Sequence, residues 1–407
     1  MIDVKLLRSN PELYKQSVKR RGLSIDIDSI LELDKQRNDL LAKTELLRSQ
    51  LKIDGKPDDA KLASLQATKK EYEELSQALL EKTEAYNDLL AQIPNLIAEN
   101  TPDGGEENNR QERTWGETKL DFEPKDHVQL NEINDLFDFE AGAKVAGNKF
   151  YFTKEKMVRL WQAIELFAQD VVRSEGFELM GVPHMVNYEI AAGTGYMPKG
   201  EENQNFIDKD QKLVMIATSE IPLTGYHKDE IIDLNKPKLY AGLSPSYRLE
   251  AGAYGKFSKG LYRTHQFEKL EMYVYCTPQQ SDQWIQKIVA IEENICQQIG
   301  IPYRLVRIAA GDLSAPAYEK YDIEYYSPVD SNYHELTSCS NCTDFQSRNL
   351  NIRYRNAEGK LEYVHTLNGT TVISSRMPIA ILENFQQANG TVQIPTVLQK
   401  YYGAKVL

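Results

Sequence analysis

The chain is poor in cysteine: four in 407 residues (Cys276, Cys296, Cys339, Cys342), unevenly spaced. That excludes a disulfide framework and suits a reducing compartment. No stretch approaches the ~18 apolar residues of a membrane span, and the opening MIDVKLLRSNPELYK lacks the apolar core of a signal peptide. Positive charge is short as well, with 48 Lys and Arg against 60 Asp and Glu and a net charge of −12. A protein that holds nucleic acid by bulk attraction is thereby excluded. Neither G-x-x-x-x-G-K-[ST] nor G-x-G-x-x-G after a strand occurs, and H-x-G-H is absent, so the P-loop and dinucleotide-fold readings fail. The chain reads as cytoplasmic and globular, long enough for two or three domains.

The acidity is uneven. Residues 1–100 carry 16 basic and 18 acidic side chains, with Lys15, Lys19, Arg20 and Arg21 close together, whereas the remainder carries 32 and 42. A surface that meets a polyanion therefore belongs to the N-terminal part, although a solvated helix face explains the same charges. Between Ile30 and Ile93 the pattern is heptad: Leu33, Leu40 and Leu47 in one run, then Leu65, Tyr72, Leu79, Tyr86 and Ile93, with Leu75 and Leu89 in the alternate seam. A repeat of 3.5 residues marks paired helices. Asp54-Gly55-Lys56-Pro57 interrupts them and Asp58 is placed to cap the second, so an antiparallel two-helix coiled-coil arm is expected over about residues 30–93. Tyr72 and Tyr86 sit at packing positions of that repeat.

Pro94 and the polar stretch that follows read as a linker over 94–118, which divides an N-terminal domain (1–104) from a second domain (105–407). The second mixes amphipathic helices, Thr153–Arg173 and the stripe Trp284, Ile288, Ile291, Ile295, Ile299, with short strands expected at 213–220, 239–250, 265–276, 303–308, 350–355, 361–367 and 370–374. Their hairpin-like succession predicts an α+β fold with a mostly antiparallel sheet flanked by helices. In 266–275, Leu270, Met272 and Val274 alternate with Phe267, Lys269 and Glu271. Arg248 with Glu250, and Ile216, Thr218 and Glu220, are read as sharing strand faces in the same way. Charged and hydroxyl groups on faces that packing alone would make apolar point to an active site on the sheet, against a ladder of structural ion pairs. The loop Ala251–Gly260, with three glycines and two lysines, suits a phosphate-bearing substrate.

The run PSYRLEAGAYGKFSKGLYRTHQFEKLEMYVYC resembles motif 2 of the seryl-tRNA synthetases, a family of class II aminoacyl-tRNA synthetases of bacterial type. The resemblance spans the chain: the opening segment, the arm, Gly193-Thr194-Gly195 with Pro198, Thr218–Thr224, Ser338–Gln346 and ENFQQANGTVQIPTVLQKYYG follow in family order. Residues Gly176 to Pro183 look like motif 1, which implies a homodimer. The resemblance implies a serine–tRNA ligase that activates L-serine with ATP and transfers it to tRNA(Ser), with tRNA(Sec) left open as a second acceptor. It implies catalytic roles for Arg248 on the α-phosphate and Arg376 on the γ-phosphate. Serine binding falls to Thr218, Ser219, Glu220, Arg248, Glu271 and Thr370. ATP binding falls to Arg248, Leu249, Glu250, Thr264, Phe267, Glu335, Leu336, Thr337, Ser338 and Arg376, with Glu335 and Ser338 meeting the Mg²⁺ that accompanies ATP. Cys339-x-x-Cys342 lacks a second pair at zinc spacing, so no zinc is expected. His265 is expected to be structural or adjacent to ATP, not a general base.

Motif 3 departs from the family pattern. Asn368-Gly369-Thr370-Thr371-Val372-Ile373-Ser374-Ser375-Arg376 keeps the arginine, but Ser375 stands where a glycine is usual; Ser375 is expected to cap the next helix, with Pro378 in its first turn. Leu249 and Leu336-Thr337 are further departures, which together predict a slightly remodelled ATP pocket. Two rival readings are a paralogue that activates an amino acid for a non-tRNA acceptor and a catalytically silent RNA-binding scaffold. The intact arm argues against the first, and retention of Arg248, Glu250, Glu271, Glu335 and Arg376 against the second.

Overall fold

A computed structural model describes residues 2–52, 58–118, 120–196, 205–208, 210–250 and 260–407. Pro198, the 54–57 break and most of the 251–260 loop lie outside those residues. Two compact units divide the chain, Met1–Leu96 and Ile97–Leu407.

The first unit is helical. Asp26 caps α1 (Ile27–Gln50) by accepting from the Ser29 amide, and Asp58 caps α2 (Asp59–Leu90) by accepting from Lys61. At about 1.5 Å per residue, their 24 and 32 residues make a long hairpin. Ile30, Tyr86 and Leu90 are buried between them, so Leu90 takes the deep position that the heptad count gave to Leu89. A polar knot replaces apolar packing near the base. Asp34, buried on α1, accepts from Arg8 Nε (2.6 Å) and Nη2 (2.9 Å) and pairs with Arg37, whose guanidinium lies 4.8 Å from the centre of the Tyr86 ring.

The second unit is built on an eight-stranded sheet. Its strands are β1 (Arg110–Trp115), β2 (Glu178–Gly181), β3 (Lys238–Tyr247), β4 (Gln266–Cys276), β5 (Tyr303–Arg307), β6 (Glu319–Ser327), β7 (Asn332–Thr343) and β8 (His365–Ile373). The order across the sheet is β1-β5-β6-β7-β8-β4-β3-β2. Every neighbouring pair is antiparallel except β2 with β3. Along β4 the period of two sorts the side chains. Leu270, Met272, Val274 and Cys276 enter the main core, where they meet apolar residues of α3 (Glu155–Ser174), α5 (Ser281–Ile299) and α7 (Met377–Asn384). Their neighbours Lys269 and Glu271 face a cavity. Close packing below the sheet explains Gly369: a Cβ there would fall 2.2 Å from Ile288 on α5.

Several expectations need correction. The strand expected over 213–220 ends at Met215, and Glu220 opens the short helix α4 (Glu220–Gly225). Side-chain bonds to the backbone, one local and one long-range, go with the turn: Thr218 Oγ1 accepts from Glu220 N, and Ser219 Oγ donates to the Gly242 carbonyl on β3. Pro222 is tolerated because the first helical turn needs no internal N–H bond. The next strand stops at Tyr247, so Arg248 and Glu250 lie beyond it, and Glu250 has a left-handed φ of 46° that cannot continue a strand. The stretch read as linker holds β1, fixed by pairing with β5, by Trp115 stacked on Tyr303 and by an Arg113–Glu293 ion pair. Ser375 is not the helix cap; Arg376 occupies that position, and Pro378 lies in the first turn as expected.

Candidate active site

The cavity measures about 440 Å³ and opens on the sheet face opposite the core. It has an aromatic and cationic end and a buried polar end. At the first, the Arg248 guanidinium lies 5.2 Å from the centre of the Phe267 ring and its Nη2 reaches the Ala217 carbonyl at 3.4 Å. His265 braces this arginine through the backbone: its carbonyl accepts from Arg248 N (3.0 Å), its Nδ1 contacts the Arg248 carbonyl (2.9 Å), and its own amide donates to the Lys149 carbonyl (3.2 Å). Glu250 is held by Arg263 Nη1 at 3.3 Å and, through its carbonyl, by Lys149 Nζ at 2.7 Å. Thr264 lines the wall beside them.

Arg376, at the start of α7, donates from Nη1 to Glu335 Oε1 on β7 at 2.7 Å. Burial alone would push the Glu335 carboxyl up, but Arg376, Lys320 and Arg248 outweigh it and hold it well below the usual carboxylate range. Glu335 is therefore ionised, and its side chain keeps 42% exposure, enough to meet a ligand from the cavity. Ser338 follows on the same strand, and Lys320 on β6, in an ion pair with Asp322 at 3.0 Å, also faces the cavity.

The polar end rests on β4 and β8. Lys269 Nζ lies 2.6 Å from Glu271 Oε2, which also accepts from Thr370 Oγ1 at 3.1 Å. Burial lowers the Lys269 pKa and Glu271 opposes that shift. Glu220, at the start of α4, accepts from Tyr196 Oη and from Gln346 Nε2, each at 2.7 Å. Burial, with Glu271 nearby, raises the Glu220 pKa despite those two donors. Two buried acids and a set of hydroxyl and amide groups thus surround a space fit for a small molecule bearing an ammonium and a hydroxyl.

Of the residues picked out from the sequence, Glu220, Arg248, Glu250, Thr264, Phe267, Glu271, Glu335, Leu336, Thr337, Ser338, Thr370 and Arg376 line this one cavity. Thr218, Ser219 and Leu249 do not; the first two lie behind Glu220. Leu336 belongs to the core and Thr337 donates to Glu292 on α5 at 2.9 Å. Cys339 is in the core, whereas Cys342 reaches the cavity and its sulfur lies 3.8 Å from Asn368 Nδ2. Tyr196, Lys320, Ser340 and Asn368 line the cavity without having been singled out. Alternation along β4 placed Lys269 on the cavity face with Phe267 and Glu271.

A sheet of this topology carrying an arginine over a phenylalanine on one rim and an arginine–glutamate pair on another has a known counterpart. Residues 202–385 match the tRNA synthetase class II core domain (G, H, P, S and T). The catalytic unit is thus that of a class II aminoacyl-tRNA synthetase. Residues 1–97 match the seryl-tRNA synthetase N-terminal domain. A serine–tRNA ligase of Dictyoglomus thermophilum is 45% identical over 417 residues, covering 99% of this chain and 98% of that protein. The seryl-tRNA synthetase of Pyrococcus horikoshii, crystallised with ATP, is 37% identical with a TM-score of 0.91, covering 100% of this chain and 99% of the other. The cytoplasmic serine–tRNA ligase of Naegleria fowleri, in complex with AMP, is 30% identical with a TM-score of 0.88, covering 100% and 98%. The chain belongs to the seryl-tRNA synthetase family. Among the described residues no helix is long and apolar enough to cross a membrane.

Proposed function

We propose that this cavity activates L-serine with ATP and that the protein then passes serine to the 3′ end of tRNA(Ser), working in the cytoplasm as a homodimer. The observation that carries the reading is the joining of the two ends in one cavity: Arg248 over Phe267 on one side, the Lys269–Glu271–Thr370 cluster on the other. Phe267 offers a face for adenine, with Glu250 and Thr264 beside it. Arg248 braces the α-phosphate, where a serine carboxylate oxygen attacks phosphorus as the bond to the pyrophosphate oxygen breaks. Arg376 takes the γ-phosphate side. Glu220 and Glu271 receive the serine ammonium and hydroxyl, with Thr370 holding Glu271 and with Thr218 and Ser219 supporting Glu220 from behind. No side chain acts as nucleophile, so catalysis is positioning and charge stabilisation.

Mg²⁺ arrives with ATP in this reading, and the donors fit it. Glu335 is an ionised, partly open carboxylate and Ser338 a hydroxyl on the same wall. Hard oxygen donors of this kind suit an ion whose other ligands are phosphate oxygens and water. Residues 1–104 supply the tRNA-reaching arm and 105–407 the chemistry. The homodimer forms through residues 176–183. Serine-dependent ATP–pyrophosphate exchange and charging of a tRNA(Ser) transcript test the proposal together. Deleting residues 30–93 should abolish charging while exchange persists. No exchange with serine would overturn the assignment, and exchange without charging would favour the paralogue with another acceptor. A tRNA(Sec) transcript in the same assay decides whether that acceptor is used.

A further inference from the structure

Glu220 does not hold its own geometry. Its Oε2 depends on Tyr196, the residue that follows Gly193-Thr194-Gly195, and its Oε1 depends on Gln346. Gln346 lies 126 residues away in sequence, on the short helix α6 (Phe345–Asn349), and is fully buried. All four hydrogen-bonding valences of its amide are used. Oε1 accepts from Tyr273 Oη at 3.0 Å and from Thr366 Oγ1 at 2.7 Å. Nε2 donates to Glu220 Oε1 at 2.7 Å and to the Thr194 carbonyl at 3.2 Å. The orientation of the amide is therefore determined. A flipped amide would set its oxygen against a carboxylate and a carbonyl, both of which only accept.

The same helix also grips the preceding backbone turn, since Asn349 Nδ2 donates to the Gly193 carbonyl at 2.7 Å. Gln346 thus fixes one Glu220 oxygen directly and helps to fix, through Thr194, the segment that delivers Tyr196 to the other. Below it, Thr224 Oγ1 lies 2.7 Å from both the Tyr273 hydroxyl and the Glu220 carbonyl, which closes the network back onto α4. A buried polar network with every member satisfied is rigid, and loss of one member leaves the others desolvated and unpaired.

We propose that Gln346 is a positioning residue of the amino-acid pocket: it aims the Glu220 carboxylate, together with the segment carrying Tyr196, so that the pocket meets the substrate ammonium with one fixed acceptor. Gln346 does not line the cavity, so it acts through Glu220 and Tyr196. The inference rests on the serine-activation reading above. It predicts a specific asymmetry: loss of Gln346 weakens serine binding and leaves ATP binding intact, because the bonds of this network run to Glu220, Tyr196 and Thr194 and not to Arg248, Phe267 or Arg376.

The test is ATP–pyrophosphate exchange on the full chain, with KM for serine and for ATP measured separately, in the wild type, Gln346→Met, Gln346→Glu and Tyr196→Phe. Exchange by the wild type tests the underlying reading on its own. Given that exchange, Gln346→Met should raise KM for serine roughly 10- to 100-fold, the loss expected for a charge-assisted hydrogen bond, and change KM for ATP less than threefold. Tyr196→Phe, which leaves Gln346 in place, should show the same asymmetry and covers the case in which Gln346→Met fails to fold. Gln346→Glu is isosteric but sets a second carboxyl against Glu220, so the pair should share a proton. Its KM for serine should then vary with pH more steeply than the wild type's. Equal rises in both KM values, or an unchanged KM for serine in Tyr196→Phe and in a folded Gln346→Met, would overturn the proposal.

Discussion

The Lys269–Glu271 pair offers a sharp way to separate what the pocket does for folding from what it does for chemistry. Both side chains are almost wholly buried, 6% and 2% exposed, with Nζ and Oε2 2.6 Å apart. Glu271→Leu removes the acceptor proposed for the serine hydroxyl and strands Lys269. Breaking a buried pair costs about 3–5 kcal/mol. The lower end applies here, because burial already lowers the Lys269 pKa and the ammonium can shed its proton. For a unit of this size about 3 kcal/mol corresponds to a fall in Tm on the order of 6 °C. Activity should fall further, by on the order of 10³ in serine-dependent exchange, since a pocket built around a substrate hydroxyl loses most of its discrimination with that acceptor. The informative variant is the double one, Lys269→Met with Glu271→Leu. Replacing both members of a buried pair by apolar groups is close to neutral for stability, so Tm should return to within about 2 °C of the wild type while exchange stays lost. Differential scanning calorimetry and pyrophosphate exchange on the same preparations read both quantities. A double variant no more stable than Glu271→Leu would refute the ion-pair argument, and near-normal exchange in Glu271→Leu would refute the pocket assignment.

Glu335→Gln removes the charge that faces Arg376 and the proposed Mg²⁺; KM for ATP should rise roughly tenfold, an effect of about 1.4 kcal/mol, and more Mg²⁺ should be needed for half-maximal exchange. An unchanged Mg²⁺ titration would count against Glu335 as a ligand. His365 is half-buried, its Nδ1 against Ser281 Oγ, and desolvation lowers its pKa. The unfolded chain therefore takes up the proton first, and stability is lost as pH falls below the ordinary histidine value of about 6.5. His365→Asn should narrow the gap in Tm between pH 8 and pH 5.5, and an unaltered gap would assign the acid loss to other groups.

Where the sequence was legible, a single period carried the information. Alternation along 266–275 separated core from cavity because one face of β4 packs in the main core and the other, through Phe267, Lys269 and Glu271, lines the cavity. β6 alternates cleanly, with Lys320, Asp322 and Glu324 against Tyr321, Ile323 and Tyr325, so its period of two was as legible as that of β4 but went unread. On β7 a register shift between Glu335 and Thr337 breaks the period, so no strand is expected there from pattern alone. Thr218–Glu220 misled for another reason: side-chain bonds to the backbone, invisible to a hydropathy count, go with the turn that follows the strand. The partners of Glu220 were beyond reach because Gln346 meets it only through the folding of distant segments. The family resemblance brought twelve residues to one cavity's walls, but not the residues that hold those walls in place.

The knot of Arg8, Asp34, Arg37 and Tyr86 gives the helical hairpin the mechanics of a cantilever. Helix α1, 24 residues and roughly 36 Å long, is clamped near one end by the Arg8–Asp34 fork, and α2 meets that clamp through Tyr86 against Arg37. A tilt of about 5° at the clamp displaces the far end of α1 by about 3 Å, a full hydrogen-bond length. Where the far end points is therefore decided at the root, by a bidentate fork that resists bending better than apolar side chains free to slide would.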